Sequence, residues 1–61
     1  MSEYTVTVHQ DIETGYQRIH RIEVSANVEY LAIWEAARVL FRNEYDLTDI
    51  TNIGVVRKEK P

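Results

Sequence analysis

Sixty-one residues with no cysteine, and ten acids against seven bases for a net charge of −3, point to one small acidic domain. Disulfides are excluded at a length near the lower limit for folding without staples, and the charge argues against nonspecific nucleic-acid binding, which needs a positive field. No apolar run approaches the roughly 18 residues of a membrane span, and no basic stretch followed by an apolar one opens the chain, so a cytoplasmic protein is expected.

Taken in chain order, the first element reads as a strand. Tyr4, Val6, Val8 and Ile12 alternate with Thr5, Thr7, His9 and Asp11, the period of two that a half-buried strand requires. A second run, Tyr16 to Val24, follows the loop Glu13-Thr14-Gly15, where glycine supplies φ > 0 for a type I turn closed by a bulge. That turn sets a register. Tyr4 faces Val24, Val6 faces Ile22, Val8 faces His20 and Ile12 faces Tyr16 on one side of the hairpin. On the other, Thr5 pairs with Glu23, Thr7 with Arg21 and His9 with Ile19.

Val28 to Asn43 reads as a helix, with Ser25 or Asn27 available as its cap and good helix formers such as Leu31, Ala32, Glu35, Ala36, Ala37, Arg38 and Leu40 inside it. Its apolar arc is too wide for a small sheet. At 100° per residue, Val28, Val39, Ala32, Ala36, Leu40, Ile33, Ala37, Tyr30, Phe41 and Trp34 run from 0° to about 240°, whereas one sheet needs a stripe of roughly 100°. Val28, Ala32, Ile33, Ala36, Val39 and Leu40 suit the sheet. Tyr30, Trp34 and Phe41 form a second stripe around Ala37.

Glu44 to Asp49 is an acidic loop, and Ile50 to Lys58 a third strand in which Gly54 marks a candidate bulge. Lys58 to Pro61 reads as a frayed polar tail. The expected fold is α+β: a single domain of order β-β-α-β, with an antiparallel sheet of strand order 2-1-3 and the helix across one face.

Large rings around a small alanine make a knob-and-hollow surface of the kind found at interface cores. Tyr30, Ile33, Trp34, Ala37, Leu40 and Phe41 are therefore the expected interface, with a symmetric homodimer its commonest form. Asp11, Glu13, Glu44, Tyr45, Asp46 and Asp49 are the candidate partner-binding set, although an acidic connector is more often a solvated loop. Asp46 and Asp49 lack the oxygen spacing of a calcium loop. His9 and His20 fall on opposite faces and share no ligand, His20 reading as a partly buried core residue. Ser2 and Ser25 have no acid-base pair nearby, and two scattered glycines build no phosphate cradle. No catalytic residue, cofactor or metal is expected. The open face of Thr5, Thr7, His9, Ile19 and Arg21 lacks the aromatic rings on which nucleic-acid platforms stack bases.

The opening strand Tyr4-Thr5-Val6-Thr7, the acidic turn from Asp11 through Glu13 to Gly15, and Tyr16 resemble the small uracil-DNA glycosylase inhibitors of Bacillus phages. The likeness extends to size, acidity and element order. It implies a dimer that offers acidic groups and an apolar pocket to an enzyme, with Tyr4, Asp11 and Glu13 on or near that surface. The resulting expectation is a non-catalytic protein-binding module: a homodimeric phage or mobile-element inhibitor that blocks a host enzyme or defence protein. Its partners are then a second copy and a host protein. The alternatives are a subunit or assembly factor docking its helix on a larger protein and, third, a nucleic-acid-binding module.

Overall fold

The computed structural model describes residues 1–13, 15–44 and 48–58. Strands β1 (Ser2–Glu13) and β2 (Tyr16–Ala26), helix α1 (Glu29–Arg42) and strand β3 (Ile50–Arg57) follow in that order. The sheet runs β2-β1-β3 with both neighbouring pairs antiparallel, the expected α+β fold.

Alternation along β1 explains which face the helix takes. Tyr4, Val6, Val8 and Gln10 are all buried. Their partners Val24, Ile22 and His20 on β2, and Val55 and Ile53 on β3, share that face. Thr5, Thr7 and His9 stand on the open side between Glu23, Arg21 and Ile19 on one flank and Val56, Gly54 and Asn52 on the other.

The hairpin register is as expected from Tyr4↔Val24 to His9↔Ile19 and differs at the tip. Tyr16 stands opposite Glu13, not Ile12, because one extra residue is accommodated between Asp11 and Glu13 next to a tight turn in which Gly15 has φ +84°. Ile12 is that residue, and it is exposed. The other irregularity falls between His9↔Asn52 and Gln10↔Ile50, at Thr51. Gly54 is no bulge; it pairs regularly with Thr7.

Neither Ser25 nor Asn27 caps α1. β2 continues through Ser25 to the buried Ala26, and the cap is the extended Val28 (φ −143°, ψ 163°), with no side-chain cap bond. Val28 contributes only its carbonyl, which accepts from the Ala32 amide at 3.2 Å. Outside the helix, it leaves the core stripe and is exposed.

Ala32, Ala36 and Leu40 are the helix's buried residues, closing a core of Tyr4, Val6, Val8 and Ala26 with Ile22, Val24 and Val55 at its margin. The helix lies mainly over β2 and least over β3. A 12-residue strand spans about 40 Å and a 14-residue helix about 21 Å. The hairpin therefore overhangs the helix, which accounts for the 40 Å long axis and for the exposure of residues 11–13 and 15–19. No described helix is long and apolar enough to cross a membrane.

At the opposite end the chain beyond β3 is tied down. Lys58 donates its amide to the Glu3 carbonyl at 2.8 Å and pairs its ammonium with Glu23, so the frayed tail does not begin at Lys58. Residues 59–61 lie outside the described set.

Candidate functional site

Helix periodicity brings three large side chains to the outer surface. Tyr30, Trp34 and Phe41 are 65%, 67% and 77% exposed, while Ile33 and Ala37 between them and the core are half-buried. Leu40, expected in the same interface, is instead in the intramolecular core at 4% exposed. Its angle explains this: Leu40 lies one turn from Ala36 on the stripe that meets the sheet.

The acidic residues gather at one end. β1 runs past the end of α1 toward the hairpin tip and β3 starts beside Gln10, so the hairpin below its tip meets the end of the loop that follows the helix. The Asp11 amide donates to the Asp49 carbonyl at 3.0 Å, and Gln17 Nε2 reaches Asp11 Oδ1 and Thr51 Oγ1, both at 3.4 Å. Asp11, Glu13, Gly15, Tyr16 and Gln17 line an open depression at the tip. Glu44 and Asp49 have φ of +64° and +56°, left-handed conformations uncommon outside glycine. Tyr45 and Asp46 lie outside the described residues, as does Thr14. Tyr4, which the resemblance places near a binding surface, is buried at 4% exposed and unavailable to a partner.

His20 is buried on the helix face and His9 is half-buried on the open face. His20 Nε2 lies 3.1 Å from Gln10 Oε1, and Gln10 Nε2 donates to the Thr48 carbonyl at 2.8 Å. A carbonyl only accepts, which orients the amide; its oxygen then only accepts, so His20 carries its proton on Nε2. Burial, and secondarily the Arg18 guanidinium, push the imidazole pKa below its ordinary 6.5. The pair joins both hairpin strands to Thr48, just ahead of β3. Among the described residues no three His, Asp or Glu side chains are gathered to hold a metal.

Two features escape sequence reading. Gln10 continues the buried series of Tyr4, Val6 and Val8, and that phase was the signal for its burial. Ile53 and Val56 on β3 are exposed, on opposite faces of an edge strand. Comparison with known proteins finds no family model, curated protein or solved structure that matches the chain.

Proposed function

We propose that the chain is a non-catalytic protein-binding module that pairs with a second copy and, as a small rigid dimer, sterically blocks a host enzyme or defence protein, as phage and mobile-element inhibitors do. The observation that carries the reading is the row of three exposed rings on α1. Burying apolar surface contributes about 25 cal/mol per Å², and rings left in water forgo it unless a partner covers them. Patches of this kind on small domains mark docking sites. The target-facing surface in this reading is the acidic end, where Asp11, Glu13, Glu44 and Asp49 meet a basic patch on the target. The open sheet face is less suited to a partner of nucleic acid, because its positions Thr5, Thr7, His9, Ile19, Arg21, Asn52, Gly54 and Val56 include no Phe, Tyr or Trp on which a base would stack.

Light scattering behind a sizing column at micromolar concentration tests the reading. A mass of twice 7.2 kDa is expected, falling toward one chain in Trp34→Ala with the fold retained. A monomeric parent chain overturns self-pairing and leaves the row as a docking site for a different protein.

A further inference from the structure

The two edges of the sheet are not equivalent. β2 carries Arg18, Arg21 and Glu23 along its length, the guarding charges that edge strands normally show. β3 carries none from Ile50 to Val56, and no proline. The irregularity at Thr51 leaves Asn52 to Arg57 in regular pairing with β1, so the opposite side of this segment is a straight edge of unpaired backbone groups. The helix covers it least: Ile53 lies on the helix face yet is 40% exposed, and Val56 on the open face is 66% exposed.

We infer that β3 pairs antiparallel with β3 of a second copy, joining two sheets into one of six strands with both helices on the same face. The inference rests on the self-pairing proposed above and specifies its geometry.

Three observations lead to a second copy rather than another strand. The first is charge. Asp49 precedes β3 and Arg57 ends it; both are exposed, and neither enters an ion pair among the described residues. An antiparallel copy centred on Ile53 lays Asn52 to Gly54 of the two strands against each other and brings the Arg57 end of each to the Asp49 end of the other, twice over by symmetry, leaving Asp11, Glu13 and Glu44 to face the target. The edge is complementary to itself.

The second is continuity with the aromatic row. A β2–α1–β3 crossover of the usual right hand turns Ile33 and Ala37, and above them Tyr30, Phe41 and Trp34, toward the β3 side of the helix. With strands about 4.8 Å apart and each helix above β1 and β2, the two helix axes stand roughly 19 Å apart. Packed helices lie at 8–10 Å. Large rings fill the remaining space over the paired Ile53 side chains and the Val55 beside them, where small residues leave a void.

The third is area. Three rings exposed to this degree offer on the order of 400 Å², about half of the ~800 Å² per partner in a standard interface. The edge of β3 supplies the rest.

The absence of cysteine makes the test clean, since any disulfide reports a single engineered position. Ile53→Cys places two thiols opposite each other across the two-fold, within the Cα separation a disulfide accepts. Under mild oxidation it is expected to cross-link at least about ten times faster than Arg21→Cys on the β2 edge. Arg57→Glu is expected to weaken the dimer by about tenfold at low salt, with recovery in the double variant Asp49→Arg/Arg57→Glu. A dimer in which Ile53→Cys cross-links no faster than Arg21→Cys overturns the β3 seam and leaves pairing through the helices alone. A monomeric parent chain overturns both, and the edge is then open to an extended segment of a different protein.

Discussion

The two faces of α1 reverse the usual order of sizes. The inward face meets the sheet with Ala32, Ala36 and a single Leu40; the outward face carries Tyr30, Trp34 and Phe41. Small residues inside let the helix axis approach the sheet closely, and tyrosine and valines from β1 fill the core from below. No room is left there for the rings. Their exposure is therefore a consequence of a core already complete without them, and substitutions on the two faces should fail in different ways.

The largest effect is expected inside. Ala36 is 1% exposed against the sheet, and Ala36→Leu forces three extra carbons into a filled space. Overpacking of this kind costs about 1–3 kcal/mol, a large share of the stability of a 61-residue domain. Chemical denaturation of the dilute monomer should show that loss, while Trp34→Ser changes monomer stability by no more than about 0.5 kcal/mol and instead removes the dependence of the midpoint on protein concentration. Equal losses on both faces at dilution would make the rings part of the core.

The inward side also holds the only buried imidazole among the described residues, which makes that side sensitive to pH. His20 is held below its ordinary pKa, so the folded state binds a proton less readily than the unfolded chain. Stability is then complete above the unfolded value near 6.5, falls as pH drops through it, and levels off below the folded pKa. Thermal melts between pH 7.5 and pH 5 should show this decline, and His20→Gln, which retains an N–H donor for Gln10, should flatten it. A decline unchanged in that variant assigns the pH dependence elsewhere.

Much of the fold was legible because several signals agreed. The alternation of Tyr4, Val6 and Val8, the glycine at position 15 and the apolar pattern of β2 all select one hairpin register, which holds from Ser2 to Asp11. At the tip, a strand period says nothing about where an extra residue is inserted, so it pairs Tyr16 with Ile12 where the fold pairs it with Glu13. The cap misled because Ser25 and Asn27 have the right chemistry, but β2 carries the chain through Ala26 before the helix begins. The exposure of Tyr30, Trp34 and Phe41 was legible in their helix angles. Leu40 shows the limit of an arc drawn without a sheet: a residue near its middle serves either side until the sheet is placed. The contact between Asp11 and Asp49 joins residues far apart in the chain, and no local pattern encodes it.

The smallest effect concerns the end of the helix, where the contrast between faces gives way to backbone geometry. The Asn43 amide and side chain both reach the Val39 carbonyl, at 3.1 and 3.0 Å, and the Glu44 amide reaches the Phe41 carbonyl at 3.0 Å. This closure requires Glu44 at φ +64°, a conformation that costs a side chain about 1 kcal/mol and glycine almost nothing. The carboxylate also stands at the negative end of the helix dipole. Glu44→Gly should therefore stabilise the monomer by about 0.5 kcal/mol in denaturation, the glycine's gain in unfolded-chain entropy offsetting part of the relief. If the acid is retained for the target instead, the same variant binds that target less tightly while melting at a higher temperature. A variant that melts lower would mean that the Glu44 side chain stabilises the helix end by more than its backbone strain costs.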